Sequence, residues 1–596
     1  MNNNIIPIFF ACDSGYIKYT MVSLQSVMEN ASKDYIYNIH ILNSGIEEEK
    51  QKKVLDMANN NFHIYFNDVS QYLEDLKEKL PIRDYYSCTT YYRLFLAKLF
   101  PEYDKGVYID SDTIVLGDIS ELYNYPIGIN YVGAAVDQVI SQTDLFGEYA
   151  EKVLDINRRQ YFNAGVLVIN IKQFRDEDIL KQFTEFIKIY TFVVAQDQDY
   201  LNILCEDKVY WIDPKWNAET YGELPCKEED ICLIHYNLGK KPWHYPDCKL
   251  GDRFWEYAKK SPSYGEIVEV YENYSDEERK RDLQSGDNLA NLAFLEINNE
   301  KNFKNVYLSD DYKAEDRIRV LDKIAELEYQ GKFDVDVEDD PPSKILMPDE
   351  IDYFDRSFTS RFFSKYAFKF GRWFLNAMLR TNKLIIKDIQ GIENFSNLES
   401  GAIVTCNHFS PMDSFAMEIT YDASEHKNRK LYRVIKEGNY TNFPGFYGYL
   451  MRHCNTLPLS SNTDTMKKFI VAIDELLKDG NFILIYPEQS MWWNYRKPKP
   501  LKTGAYKFAA RNHVPVLPCF ITMQDSDIKG EDGFYIQEYT IHIEKPIYPV
   551  EDKSIRENAD KMMELNYECW KKIYEDTYQI PLTYTCGQVN YKGKIE

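Results

Sequence analysis

The 596-residue sequence predicts an α/β protein with two catalytic domains in series. Three observations carry this. Short apolar runs alternate with helical patterns over the first 265 residues, and the same rhythm returns after residue 348. Each half also holds its own cluster of reactive residues just after an apolar run: Asp110-Ser111-Asp112 in the first, and Asn407 to Asp413, with His408 between, in the second. At this length, with 44% hydrophobic residues, more than one core is expected.

In the first half, apolar runs at 5–10, 37–42, 62–66, 106–109, 131–136 and 166–169 predict strands. Met21, Val22, Leu24, Val27 and Met28 give the first helix its apolar face. Residues 266–347 differ in character. A charged stretch at 275–282 leads to an amphipathic segment in which Ile318, Leu321, Ile324 and Leu327 recur at helical spacing before Gly331, and 334–342 is acidic and closes on two prolines. This predicts a charged helical connector between a domain at 1–265 and a second at 348–596. The second domain has strand runs at 402–406, 431–435, 482–486 and 516–521, and a helix at 464–478 ended by Gly480.

The formal net charge of −24 argues against nucleic acid as a partner, because phosphate binding is driven by Lys and Arg. No run approaches the roughly 20 apolar residues of a membrane span, and Met1-Asn2-Asn3-Asn4 lacks the basic start of a signal peptide, so a cytoplasmic location is expected. Eleven cysteines scattered without paired spacing predict reduced thiols and no zinc site.

In a strand, residues i and i+2 point to one side, so Asp110 and Asp112 can aim both carboxylates at one cation beyond the run at 106–109. Oxygen ligands suit Mg or Mn. The surrounding motifs are Phe10-Ala11-Cys12-Asp13-Ser14-Gly15-Tyr16, Tyr92-Arg93-Leu94, Tyr161-Phe162-Asn163-Ala164-Gly165, Asp197-Gln198-Asp199 and His235-Tyr236-Asn237-Leu238-Gly239-Lys240-Lys241-Pro242-Trp243. In this order they resemble glycosyltransferase family 8, the retaining galactosyl- and glucosyltransferases of the GT-A fold. The resemblance implies that Asp110, Asp112 and His235 hold manganese (or Mg), that Ala11, Asp13 and Tyr16 contact uridine and ribose of a UDP-sugar, and that Lys241 binds its diphosphate. It likewise implies that Arg93, Asn163, Asp197 and Gln198 hold the donor sugar, Gln198 as a positioning group. Gly15 stands where the family usually has Asn, and Gly239 falls one residue late after His235.

In the second half, a turn can fold the Asp413 carboxylate back onto the His408 ring, leaving the imidazole to take a proton from an acceptor hydroxyl as it attacks a thioester. Downstream lie Val434-Ile435-Lys436-Glu437, Phe443-Pro444-Gly445, Asn455-Thr456-Leu457-Pro458, Tyr486-Pro487-Glu488-Gln489-Ser490 and Val514-Pro515-Val516. These resemble the four blocks of the glycerolipid acyltransferases, the family containing 1-acylglycerol-3-phosphate acyltransferase. The resemblance implies His408 and Asp413 as the catalytic pair, Lys436 and Glu488 near the acyl acceptor, and acyl-CoA or acyl carrier protein as donor. Ser460, Ser461 and Met491 stand where relatives carry phosphate-binding arginines, with Lys436, Arg496, Lys497 and Lys502 as nearby cations.

Residues 354–383 mix Phe358, Phe362, Phe363, Phe368, Phe370, Trp373, Phe374 and Leu375 with Arg356, Arg361, Lys365, Lys369, Arg372 and Arg380, which suits the surface of an anionic membrane. Together these features predict a bifunctional enzyme, peripheral at the inner face of the membrane, acting in glycolipid or cell-envelope glycan synthesis. Two alternatives keep the glycosyltransferase active: the second half is a silent lipid-binding module, or it is a lysophosphatidate acyltransferase of phospholipid synthesis.

Overall fold

The computed structural model describes residues 4–73, 88–308, 313–338, 343–354, 358–426, 428–443 and 445–595; Arg356, Pro341, Pro342 and Pro444 lie outside them. The chain forms two compact units, Met1–Asp310 with Thr583–Gln588, and Asp311–Leu582 with Val589–Glu596.

The first unit is built on a seven-stranded sheet, ordered β3-β2-β1-β4-β7-β6-β8, and a three-stranded sheet, β5-β10-β9. The strands are β1 (Ile5–Ala11), β2 (Ile36–Asn43), β3 (Phe62–Asp68), β4 (Gly106–Ile109), β5 (Thr113–Val115), β6 (Val132–Ala134), β7 (Val166–Ile169), β8 (Val209–Trp211), β9 (Ala218–Glu219) and β10 (Leu233–His235). β1 runs parallel to β2 and β4, whereas β7 is antiparallel to β4 and β6. β1, β4 and β7 are covered on both faces, which is why they read as unbroken apolar runs and not as alternation. Pro7 cannot donate to a ladder, and the pairing with β4 begins one residue later, at Ile8. The helix Ile17–Asn30 buries Met21, Val22, Leu24 and Val27, with Met28 partly covered.

Within 266–347 the described residues include the helices Asp276–Ile297 and Glu315–Tyr329, and the division between the units falls inside this segment. The helix Asp276–Ile297 starts with a reciprocal cap between Ser275 and Glu278, and belongs to the first unit. The helix Glu315–Tyr329 belongs to the second, buries Val320, Ile324 and Leu327, and ends before Gly331, whose φ of 65° is the left-handed conformation glycine accepts freely.

The second unit holds a seven-stranded sheet in the order β11-β17-β16-β12-β15-β13-β14. Its strands are β11 (Ile385–Gln390), β12 (Ala402–Thr405), β13 (Leu431–Ile435), β14 (Thr456–Pro458), β15 (Phe482–Ile485), β16 (Val516–Lys529) and β17 (Tyr535–Ile543). Every pairing is parallel except the β16/β17 hairpin. The helix Thr463–Lys478, capped by Asn462, and the long helix Ile555–Tyr578, which buries Met562, Met563, Tyr567 and Trp570, complete this unit's layers.

Candidate active sites

In the first unit the site forms where β1 and β4 end, the edge at which open α/β sheets bind ligands. Asp110 follows β4 and Asp112 precedes β5. β10 pairs antiparallel with β5 so that His235 lies opposite Thr113, and the Tyr236 N–H donates to the Asp112 carbonyl. This register sets His235 Nε2 3.4 Å from Asp112 Oδ1 and 3.9 Å from Asp110 Oδ2. One ligand atom from each residue lies within 4.8 Å of the others, a donor set of two carboxylates and an imidazole suited to a divalent cation.

The His235 tautomer is fixed by a chain of hydrogen bonds. The Asp137 carboxylate can only accept, so Asn163 must present its amide nitrogen to it, at 3.0 Å. Asn163 Oδ1 then accepts from Gly165 N and from Asn217 Nδ2. Asn217 is left with its oxygen toward His235 Nδ1, 3.0 Å away, so Nδ1 carries the hydrogen and the Nε2 lone pair faces the two aspartates. Gly165 keeps this space open, because a Cβ there would lie 2.3 Å from His235 Cε1 and 2.8 Å from Asp110 Oδ2.

Lys241 donates to Asp112 Oδ2 and to the Tyr236 carbonyl. Burial works to raise the Asp112 pKa, yet the carboxyl is held well below its usual range, chiefly by the Lys241 ammonium beside it. Arg93 is buried between Asp110 (3.2 Å) and Asp197 (3.2 Å), lies over the Tyr108 ring at 4.3 Å, and also donates to the Ala164 carbonyl. Burial pushes Asp197 up to about 7 despite Arg93, and nearby Asp110 adds to the rise. Gln198 accepts from the Ala164 N–H at 2.8 Å and donates to Asp137 at 3.0 Å, so both ends of its amide are engaged, as befits a positioning group.

Ala11 closes β1, and its carbonyl accepts from Ser111. In the loop that follows, one Asp13 oxygen accepts the backbone N–H groups of Gly15 and Tyr16, which shapes the turn into the next helix. Burial and the Asp112 charge raise the Tyr16 phenol pKa. The predicted donor-binding and metal residues are thus gathered at one sheet edge. Sequence reasoning missed Asn217 and Asp137, which no motif marks, and Gln196, whose backbone (φ 51°, ψ −117°) is strained and whose buried amide is unpaired.

In the second unit His408 follows β12, and Asp413 opens the helix Asp413–Ala423. His408 Nδ1 lies 2.7 Å from Asp413 Oδ2, which also accepts the Phe409 N–H at 3.2 Å. The imidazole stacks on Tyr486, centroids 4.2 Å apart, and Tyr486 is itself hydrogen-bonded to Ser414. Asn407 does not face the reaction: its amide exchanges two hydrogen bonds with the Ile521 backbone of β16, which ties the motif to the sheet.

Glu488, expected near the acceptor, lies against the His408 backbone. It is buried, its Oε2 accepts the His408 N–H at 3.0 Å, and its Oε1 accepts the Lys499 N–H at 2.8 Å. Burial raises its pKa, and burial lowers that of its partner Lys499 to about 8. The cations that lie near the acyltransferase motifs in sequence are engaged in ion pairs: Lys436 with Asp336 (2.8 Å), Lys497 with Glu328 (2.9 Å), Arg496 with Asp525 (2.8 Å) and Lys502 with Asp334 (2.8 Å). Ser460 and Ser461 both donate to the Glu437 carboxylate.

The helix Phe358–Arg380 leaves Phe362, Phe363, Tyr366, Phe370 and Trp373 exposed and buries Ala367 and Leu375. No described helix is long and apolar enough to cross a membrane.

Comparison with known proteins matches the glycosyl transferase family 8 model to residues 7–247 and an acyltransferase model to residues 387–522. The chain is 30% identical over 258 residues to a Haemophilus influenzae protein that bears a glycosyltransferase name, an alignment that covers 41% of this chain and 76% of that protein. It is 26% identical over 254 residues to the lipopolysaccharide 1,3-galactosyltransferase of Salmonella typhimurium, covering 40% and 72%. Among solved structures it is similar to galactosyltransferase LgtC, with 27% identity, coverage of 43% and 96%, and a TM-score of 0.37. With its Asp-Asp-His cluster at the sheet edge and His408 held by Asp413 in a second fold, the chain belongs to glycosyltransferase family 8 and carries an acyltransferase domain after it.

Proposed function

We propose that the protein transfers a hexose from a UDP-sugar with retention of configuration, using Mn or Mg, and transfers an acyl group from acyl-CoA or acyl carrier protein to a hydroxyl of a lipid or glycan. The product is a glycolipid or an acylated cell-envelope glycan, made by an enzyme seated on the cytoplasmic face of the membrane. The observation that carries the first activity is the cluster of Asp110, Asp112 and His235 with the Lys241 ammonium beside it. Breaking the sugar–diphosphate bond loads negative charge on the leaving group, and a bound divalent cation supplies counter-charge there. Lys241, which donates to Asp112, adds a second positive charge for the leaving diphosphate in this reading. Arg93 and Gln198 fix the loop around Ala164, and Asp13 and Tyr16 shape the nucleoside end. Similarity to lipopolysaccharide galactosyl- and glucosyltransferases supports a hexose donor and an envelope acceptor.

For the second activity, Asp413 accepts a hydrogen bond from His408 Nδ1–H, which leaves the Nε2 lone pair to take the proton of an acceptor hydroxyl. The oxygen attacks the thioester carbonyl, the carbon–sulfur bond breaks, and the thiolate leaves. Tyr486 and the Glu488 contact hold the ring and its backbone in place. The exposed aromatic face of Phe358–Arg380, interleaved with Lys365, Lys369 and Arg372, supports docking on an anionic bilayer.

The test is mass spectrometry of lipids and glycans from cells carrying wild-type or His408→Ala protein, alongside UDP-sugar turnover of both purified proteins. A species bearing hexose but lacking an acyl group in the variant is expected. Identical profiles would return the second half to a silent lipid-binding module.

A further inference from the structure

Residues 333–337 form a strap within the second unit, and the strap is fastened to the loop that carries the catalytic histidine. Trp492 makes the connection at both ends: its indole N–H donates to the Val335 carbonyl at 2.9 Å, and its backbone N–H donates to the His408 carbonyl at 3.2 Å. Ser490 Oγ donates to the Phe333 carbonyl at 2.7 Å, and the Phe333 ring stacks on Trp492. Phe333 and Val337 are buried, so the strap cannot lift without exposing both.

The residues between these anchors point carboxylates at two lysines that lie near the acyltransferase motifs in sequence. Asp336 meets Lys436 at 2.8 Å and Asp334 meets Lys502 at 2.8 Å. Asp336 and Lys436 also both act on buried Lys499, which shares Glu488 with the His408 backbone. Lys436 and Asp336 are 40% and 41% exposed, so an acceptor head group can reach the pair. An ion pair this exposed would exchange easily for a stronger anion if its carboxylate were free to move away. Here the anchored backbone keeps it in place, so an incoming phosphate meets a fixed like charge instead of a free ammonium.

We propose that Asp336 is a specificity-determining residue of the acyl-transfer site: its carboxylate fills the place beside Lys436 where an anionic head group would sit, and so selects acceptors whose hydroxyl is borne by an uncharged group. This rests on the proposed acyl transfer to a hydroxyl, and it deepens that proposal by naming the acceptor's charge. The strap thereby decides against lysophosphatidate.

Two measurements on the full-length protein keep the ideas separable. In the first, glycerol 3-phosphate is titrated by calorimetry into wild type, Asp336→Asn, Asp336→Ser and the double variant Asp336→Asn/Lys436→Gln, which requires no acyl transfer. Affinity at least tenfold higher in both single variants than in wild type, and lost again in the double variant, is expected. Equal affinity in wild type and single variants, or a gain that survives Lys436→Gln, would overturn the proposal. In the second, wild type and Asp336→Asn are offered lysophosphatidate and a neutral glycolipid in competition for labelled acyl donor. The ratio of kcat/KM should shift at least tenfold toward lysophosphatidate in the variant, and a wild-type preference for lysophosphatidate would also overturn the proposal. Absence of transfer to either acceptor by wild type would count against the acyltransferase activity, while the calorimetry still decides the role of Asp336.

Discussion

Asp137 reaches His235 through Asn163 and Asn217, and by that relay the carboxylate of the first decides which nitrogen of the second carries a hydrogen. The relay ends on the one lone pair a metal ion needs. Outer partners of a ligating histidine are worth about ten- to hundredfold in metal affinity. Asn217→Ala should therefore weaken Mn or Mg binding by that factor, read by calorimetry and by the metal concentration giving half-maximal UDP-sugar turnover. Saturating metal should restore much of the rate. Asp110→Ala or Asp112→Ala should lose at least about a hundredfold at any metal concentration, because the leaving diphosphate lacks its counter-charge. Full turnover in EDTA would refute the metal site.

Asp197 gives the first unit a stability that depends on pH. An aspartate in an unfolded chain titrates near about 4, whereas burial pushes Asp197 up to about 7. Between those values the folded protein holds a proton that the unfolded chain has released. Folding is therefore favoured at the acidic end of this window and loses that contribution as pH rises through about 7. Asp199, pushed up to about 6 by burial, acts in the same direction. Thermal melts of the metal-free protein at pH 5 and 7.5 should show wild type losing more on the alkaline side than Asp197→Asn does. Equal slopes would mean that Arg93 keeps Asp197 ionised throughout.

The buried pair of Glu488 and Lys499 should be costly to break from either side. Removing one partner leaves a charge without compensation in the interior, a loss of roughly 3–5 kcal/mol. Lys499→Met and Glu488→Ala should both lower the melting transition of the second unit. Glu488→Ala also strips the His408 N–H of its acceptor, so it should depress acyl transfer more than Lys499→Met does when both are assayed well below their melting temperatures. Matching losses would leave Glu488 a purely structural role.

Membrane docking predicts that Lys365→Glu/Lys369→Glu/Arg372→Glu will no longer sediment with anionic liposomes, each cation contributing on the order of 1 kcal/mol. Trp373→Ala should weaken binding to anionic and neutral vesicles alike, since Trp373 is 68% exposed, more than any other described aromatic side chain of that helix. Undiminished sedimentation would make the helix an ordinary packing element.

Much of this could be read from the residues alone, for identifiable reasons. β1, β4 and β7 are continuous apolar runs because both faces are covered, and Asp110 and His408 each sit just past such a run. β5, β9 and β10 are only two or three residues long, too short for any period to register, and yet their pairing delivers His235 to Asp112. The motif around His235 made up for the invisible strand; nothing comparable marks Asn217. β17 does alternate, and Gly530 to Gly533 signals its turn, but a search for continuous apolar runs passes over it. The acyltransferase block marks Glu488, but only the fold shows that its two oxygens accept the backbone N–H groups of His408 and Lys499. The strap at 333–337 lies in sequence outside every motif, and only tertiary hydrogen bonds bring it to Trp492.

Gly165 turns the metal site into something a single carbon atom can shut. A methyl group at that position would occupy the gap between His235 and Asp110 while leaving every ligand, every charge and the sheet beneath them in the sequence. The capacity to hold a cation is thus guarded by a residue that offers the cation nothing, and chemical inventories of ligands would overlook it.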